Sequence, residues 1–234
     1  VLINFVNTKK FKFGAYAPQE RLRLLEPLGI FTKDTTKHLT FSTDAGTKSK
    51  ELFSQYKDKT LIGITLSAGN KIKEWPTERF AEVANHIASK YNVVIVIIGG
   101  PNDTEYALKM KENLSKNVQY IDTTGILSID ELKATISKLN LFISVDTGPL
   151  NIAVTFNIPT VNILGPVPEW AVQVGELNRI ASNRGGVDPA IHPLNNRNIN
   201  FKEGRRQADA VTVEMVVSEI DNLCATIKCD KGCV

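Results

Sequence analysis

Two hydrophobic patterns alternate along the chain between residues 61 and 164. Short, continuously apolar runs rich in β-branched residues alternate with longer stretches in which apolar residues recur at helical spacing. Continuous apolar runs are typical of parallel strands that helices cover on both faces. The pattern therefore predicts an α/β fold with one parallel sheet. The predicted strands are Leu61–Leu66, Val93–Ile98, Val118–Ile121, Leu141–Val145 and Thr160–Leu164.

The stretches between these strands predict helices. Over Thr77–Lys90, Phe80 and the apolar residues three, four and seven positions later form one stripe that would face the sheet. The segment Asn183–Gln207 is rich in Asn, Gly, Pro and Arg and is predicted to be a long loop. Further helices are predicted over Asp103–Leu114, after the capping pair Ser128 and Glu131, from Pro149 onwards, and over Thr212–Leu223.

The first 60 residues have a different organisation. They predict a strand at the start, a second strand over Leu39–Ser42, and helices over Gln19–Leu28 and Asp44–Tyr56. Two strands do not build a stable domain, and Val1–Val6 resembles an interior strand without an initiator Met. We therefore expect a piece of a longer protein, with residues 1–58 a remnant of a second α/β domain, residues 59–224 the main domain and residues 225–234 a tail.

Composition and charge exclude several classes of protein. The net charge of +3 reflects a small excess of basic residues and no basic block, which argues against nucleic-acid binding. The longest apolar run, Val93–Ile98, is far shorter than a membrane-spanning helix, so we expect a soluble protein. The only cysteines, Cys224, Cys229 and Cys233, favour a reducing, cytoplasmic compartment and lack a fourth ligand for a structural metal.

The most informative segment is Asp146–Pro149, which lies between a predicted buried strand and a predicted helix. Ligands of open parallel sheets bind where strands end and helices begin, because unpaired amides and the helix dipole attract an anion there. Gly148 allows a ligand to approach the backbone, and Thr147 offers a hydroxyl. Asp146 would repel a phosphate and is expected to cap amides or bind a ligand hydroxyl. Simple helix capping is the alternative interpretation of this segment.

Two further strand ends carry polar residues. Ser67–Pro76 combines small residues with Lys71 and Lys73, which suits a diphosphate, although lysines in loops are commonly only solvated. Trp75 is expected to pack in the core. After Gly99 and Gly100, Asp103 is placed either to accept hydrogen bonds from a ribose or to cap a helix.

Several motifs are missing from the sequence. No Gly-x-Gly-x-x-Gly follows a strand and no Walker-type phosphate loop occurs. These absences argue against a dinucleotide-binding site and against a sugar-nucleotide epimerase. No Asp-x-Asp is present to bind a divalent metal. The histidines, His38, His86 and His192, lack a Ser or Cys partner at motif spacing, so a hydrolase triad is not predicted.

Taken together, the motifs resemble those of glycosyltransferase family 9, the ADP-heptose:lipopolysaccharide heptosyltransferases. Lys73–Pro76 is similar to the family's Lys-x-Trp-Pro, Gly99–Pro101 to its glycine turn, and Asp146–Pro149 to its Asp-Thr/Ser-Gly-Pro. Pro159–Pro166 resembles the strand and Gly-Pro that follow, and Glu20–Ile30 resembles a segment late in the family's N-terminal domain. Each motif is weak alone, and their order makes the combination specific.

The resemblance implies a GT-B enzyme with a Rossmann-like C-terminal domain that binds the nucleotide-sugar donor and an N-terminal domain that binds the acceptor. It implies inverting, metal-independent transfer of a sugar, expected to be heptose, from an ADP-sugar to a lipopolysaccharide core or similar glycolipid, with no cofactor. It also implies a cytoplasmic protein with peripheral contact to the inner membrane. The expected general base lies in a region with no counterpart here, so we expect this chain to bind donor without transferring the sugar.

The resemblance also implies roles for individual residues. Lys73 would contact the diphosphate, Ser67 would lie beside it, and Asp103 would lie near the ribose. The turn after the fourth predicted strand would hold the phosphates and the sugar. The implied donor-binding residues are Ser67, Lys73, Asp103, Asp146, Thr147, Gly148 and Asn151.

Two residues depart from the family pattern. Asn151 stands where the family usually has His, and Val167 stands where a Thr is common. An amide donates hydrogen bonds but cannot become a cation, so part of the leaving-group stabilisation would be missing or the donor sugar would differ. A non-catalytic module that binds nucleotide sugars is therefore the alternative function.

Overall fold

A computed structural model of the chain describes residues 16–191 and 199–226. The strand expected at residues 1–6, His192, Cys229 and Cys233 lie outside the described residues.

A single parallel sheet of six strands organises the described residues. Its order is β3-β2-β1-β4-β5-β6, so the chain winds outward from β1 in one direction and then from β4 in the other. A crevice opens at the carboxyl ends of the strands at such a reversal. The strands are β1 Thr60–Thr65, β2 Val93–Ile98, β3 Tyr120–Asp122, β4 Leu141–Val145, β5 Thr160–Ile163 and β6 Asn178–Ala181.

Helices cover both faces of this sheet. Along β2, Val93, Ile95 and Ile97 belong to one apolar cluster, whereas Val94 and the two residues that alternate with them on the opposite face belong to a second. All six β2 residues are buried. The α/β fold predicted from the apolar runs is confirmed.

Of the eight α-helices in the described residues, four lie in the gaps between strands, as the sequence predicted. Among the described residues, none of them is long and apolar enough to cross a membrane. The helices are α1 Ala17–Leu22, α2 Thr43–Leu52, α3 Thr77–Lys90, α4 Thr104–Asn113, α5 Ile129–Ile136, α6 Gly148–Thr155, α7 Phe201–Asp209 and α8 Val213–Thr226.

Several local predictions were wrong. The third strand was expected at Val118–Ile121 and begins two residues later, and β6 was not predicted because only one of its four residues is buried. The expected helix over Gln19–Leu28 is divided into α1 and a 3-10 helix, Arg23–Leu28, that contains Pro27. Residues 39–42 form no strand.

The predicted loop over Asn183–Gln207 contains most of α7. The buried face of this helix consists of Gly204, Gln207 and Ala208. These small or polar residues do not produce the apolar periodicity that identifies a helix in a sequence.

Helix α2, from the segment that precedes the sheet, packs against α5. The hydroxyl of Ser49 donates to the carbonyl of Ala134 at 3.1 Å, and Lys48 pairs with Glu131. Phe53, directly after α2, lies in the second apolar cluster of the sheet. The division at residue 58 stays a prediction.

Candidate functional site

The carboxyl ends of β1 and β4 form the floor of the candidate site. These strands are hydrogen-bonded neighbours, with Thr65 opposite Ser144, so the loop after β1 and the turn after β4 lie side by side. A cavity of about 510 Å³ opens above them. Helix α1 and Lys37 also line it.

Lys73 and Asp146 form an ion pair in this cavity. The Nζ of Lys73 donates to Oδ2 of Asp146 at 2.9 Å and to its backbone carbonyl at 2.9 Å. Both side chains keep about a fifth of their surface exposed, 21% and 23%. The sequence predicted that Asp146 caps amides or binds a ligand hydroxyl. In the structure its carboxylate instead neutralises the ammonium group proposed to bind the diphosphate.

A short 3-10 helix, Lys71–Lys73, presents Lys73 to the cavity. The side chain of Asn70 caps its start by accepting from the Ile72 amide at 3.2 Å. Trp75, two residues later, fixes this turn to the core, because its ring is buried and its Nε1 donates to the carbonyl of Val211 at 2.8 Å. The prediction that Trp75 serves packing is confirmed.

Thr147 and Gly148 form the start of α6 at the cavity wall. The first amides of a helix have no intrahelical acceptors. The Oγ1 of Thr147 is buried and has no hydrogen-bond partner among the described residues. A Cβ at Gly148 would meet no atom within 4 Å, so packing does not require glycine there, and its missing side chain leaves space beside the helix start.

Asn151 connects α6 to the segment that precedes the sheet. Its Nδ2 donates to the carbonyl of Thr147 at 3.0 Å, and its Oδ1 accepts from the Nζ of Lys37 at 3.1 Å. Burial and the nearby charge of Arg21 lower the pKa of Lys37, whereas Asp146 acts in the opposite direction. Both Lys37 and Arg21 line the cavity, and sequence reasoning missed both because they lie outside the strand ends.

Asn162 is a second missed residue. It lies on β5, is 3% exposed and lines the cavity, and its Oδ1 has no partner among the described residues. An Asn between Val161 and Ile163, inside a predicted strand, was a visible signal in the sequence.

The structure brings five of the seven predicted residues together. Ser67 and Asp103 do not line the cavity. Oδ2 of Asp103 accepts from the Gly100 amide at 2.7 Å, which is the geometry of the capping alternative. Contacts of any of the seven with a donor stay predictions. The five that line the cavity are Lys73, Asp146, Thr147, Gly148 and Asn151.

The chemistry available in this cavity is recognition of an anion. Within the described ranges, no group of three His, Cys, Asp or Glu side chains is arranged to hold a metal ion. Lys73, the amides at the start of α6 and the hydroxyl of Thr147 all offer hydrogen-bond donors.

Comparison with known proteins identifies the family. Residues 17–183 match the model of glycosyltransferase family 9 (heptosyltransferase). The chain belongs to glycosyltransferase family 9. The resemblance predicted from the sequence motifs is confirmed.

Within family 9, the lipopolysaccharide core heptosyltransferase OpsX of Haemophilus influenzae is 28% identical over 162 residues, which are 68% of this chain and 45% of that enzyme. The chain thus spans about half the length of the curated relatives it matches.

Solved structures share the fold. A family 9 glycosyltransferase from Veillonella parvula has a TM-score of 0.75 at 22% identity, over 92% of this chain and 60% of that one. The E. coli ADP-heptose lps heptosyltransferase II has a TM-score of 0.65 at 19% identity, over 82% of this chain and 54% of that one.

Proposed function

We propose that this chain contains the donor-binding domain of a heptosyltransferase, which transfers heptose from ADP-heptose to a lipopolysaccharide core or similar glycolipid. The observation that carries the proposal is the shared cavity of Lys73 and the start of α6, contributed by two neighbouring strand ends. An ammonium group and helix-start amides on one cavity wall suit a diphosphate.

The charges of the cavity support a diphosphate ligand. Its titratable lining residues include three cations, Arg21, Lys37 and Lys73, against one carboxylate, Asp146. Two positive charges are therefore in excess, and the diphosphate bridge of a nucleotide sugar carries one negative charge on each phosphate at neutral pH.

The transfer step places new negative charge on the bridging oxygen when the nucleoside diphosphate leaves. The ammonium group of Lys73 has three N–H donors, so it can donate to a phosphate oxygen in place of one of its hydrogen bonds to Asp146. Charge-assisted hydrogen bonds contribute about 1.5 to 3 kcal/mol each. Preorganised donors aimed at developing charge lower a reaction barrier.

The finer details of the reaction are part of the proposal. We assign inversion at the sugar, transfer without a bound metal, and a general base in the acceptor domain. More than half of the OpsX enzyme has no counterpart in its alignment with this chain, so the chain alone should bind donor without transferring sugar. We place the complete enzyme in the cytoplasm, at the inner face of the membrane that carries its acceptor.

A non-catalytic sugar-nucleotide-binding module is the second candidate. The observation that favours it is Asn151, whose two amide atoms are already engaged by Thr147 and Lys37. An assay of the full-length protein with donor and acceptor separates the two functions. Release of ADP that depends on acceptor supports the transferase, and no release with both substrates present supports the module.

Ligand-dependent thermal stability tests the binding proposal. At 100 times its dissociation constant, a ligand adds roughly 2.7 kcal/mol to the free energy of unfolding, which is about 5 to 10 °C for a chain of this size. We expect ADP-heptose to raise the Tm most, ADP less, and NAD not at all.

Lys73→Ala should abolish most of this shift, because it removes the cation that contacts Asp146, two residues before α6 begins. Lys116→Ala is the matched control, since Lys116 is exposed and lies outside the cavity. A wild-type chain whose Tm responds to none of the nucleotides would contradict the proposed function.

A further inference from the structure

Two cations of the donor cavity come from the segment that precedes the sheet, and within the described residues neither has an acidic group at ion-pair distance. Lys37 and Arg21 line the cavity, and neither forms an ion pair within the described part of the chain. Lys73, in contrast, is neutralised by Asp146.

Arg21 and Lys37 also lie close enough for the charge of one to affect the other. The carboxylate of Asp146, which already pairs with Lys73, offsets only part of this repulsion at Lys37, and a bound anion would offset more of it.

Lys37 is held at the start of α6. Its Nζ donates to Oδ1 of Asn151 at 3.1 Å, and Asn151 in turn donates to the carbonyl of Thr147 at 3.0 Å. The amide of Asn151 orients the ammonium group but supplies no negative charge to neutralise it. Lys37 is therefore a positioned cation at α6, contributed by a different segment of the chain from the loop that carries Lys73.

We propose that Lys37 binds the diphosphate of the nucleotide-sugar donor and provides at α6 the positive charge that Asn151 cannot supply. This inference rests on the proposed function of the cavity. The diphosphate lies between two lysines, with Lys73 on the loop after β1 and Lys37 on the segment before the sheet. Through Lys37, a bound diphosphate then links that segment to α6.

A purely structural role for Lys37 makes a different prediction. If Lys37 served only to hydrogen-bond the segment before the sheet to Asn151, its replacement would change the Tm of the free chain and leave nucleotide affinity unchanged. Affinity and stability therefore have to be measured separately.

Titration calorimetry of the 234-residue chain tests the inference with ADP and with adenosine, which lacks phosphate. Lys37→Ala should weaken ADP binding about tenfold, equivalent to about 1.4 kcal/mol, and leave adenosine binding unchanged. Lys37→Gln should behave like the alanine variant although it keeps an amide donor, and Lys37→Arg should retain most of the affinity. The ADP affinity of Lys37→Ala should also depend less on salt.

Lys33→Ala is the matched control, because Lys33 is an exposed lysine of the same segment that does not line this cavity. If the wild-type chain binds ADP and the Lys37 variants bind it as tightly as Lys33→Ala, the inference is overturned while the proposed function stands. If the wild-type chain binds no ADP, the proposed function itself fails.

Discussion

Asn162 buries an amide oxygen that has no partner within the described residues. Thr160, two residues earlier on the same strand, is also buried, but its hydroxyl donates to Oδ1 of Asn178 at 3.0 Å. A buried polar atom without a hydrogen bond costs about 1 to 3 kcal/mol. A ligand hydroxyl or amino group would satisfy Asn162, so this residue should contribute to binding at the expense of stability.

Asn162→Leu should therefore leave the Tm of the free chain unchanged or raise it, and reduce the shift produced by ADP-heptose. Thr160→Val, which removes a satisfied hydrogen bond from the same strand, should lower the free energy of unfolding by about 1 kcal/mol. Thermal melts with and without ligand measure both effects. Equal destabilisation by the two substitutions would show that Asn162 is satisfied in solution.

The residues that the sequence predicted for the cavity share one property. Lys73, Asp146 and Asn151 belong to short motifs that directly follow strands, so a local pattern reveals them. Lys37 precedes the sheet and Asn162 lies inside a strand. Only the folded arrangement shows that their side chains meet the same cavity.

Helix α7 illustrates the same limit at the scale of an element. Its buried face carries no apolar stripe, so its position depends on close backbone contact. A Cβ at Gly204 would lie 2.3 Å from Cδ1 of the buried Ile72, and a Cβ at Gly165 would lie 2.5 Å from Cα of Ala208. The helix thus packs against both the Lys73 turn and the end of β5.

Gly165→Ala should lower the free energy of unfolding by about 1 to 3 kcal/mol, because the added methyl meets helix backbone that cannot move without displacing α7. Gly175→Ala is the control, since a Cβ there meets nothing within 4 Å. Urea unfolding of both variants measures the difference. Equal stability of the two variants would mean that α7 does not pack tightly against Gly165.

The attachment of α2 to α5 affects the pH dependence of the whole molecule. Hydrogen bonds from Lys48 and from Ser128 lower the pKa of Glu131 from 4.5 to about 2. A carboxyl whose pKa is lower in the folded state stabilises the fold above its unfolded pKa, and this contribution is lost as the pH falls through the folded value. Stability should therefore decline from about pH 4.5 to about pH 2.

Lys48→Ala should lower the Tm at pH 7 and differ less from wild type near pH 2, because Glu131 of the wild type is then about half protonated and its interaction with Lys48 is weakened. Lys50→Ala, an exposed lysine of the same helix, should leave the pH profile unchanged. Thermal melts across the acid range compare the three proteins. A constant difference between Lys48→Ala and wild type at all pH values would assign the effect of Lys48 to packing.

At the scale of the whole molecule, the fold class was predictable because strands covered on both faces must be continuously apolar, as Val93–Ile98 is. The strand order was not predictable, since a hydrophobic pattern carries no information on which strands are neighbours. The pairing of β1 with β4 is what brings the two motif-bearing loops together.

The Lys73–Asp146 ion pair gives the cavity a counterion of its own. Any anion that enters must compete with this resident carboxylate, which penalises weakly held ions such as free phosphate more than a ligand with further contacts along the cavity. When an anion dissociates, Asp146 can re-form its ion pair with Lys73, so the ammonium group is not left unpaired. If the cavity binds a nucleoside diphosphate as proposed, this exchange of partners would favour its release over tight retention.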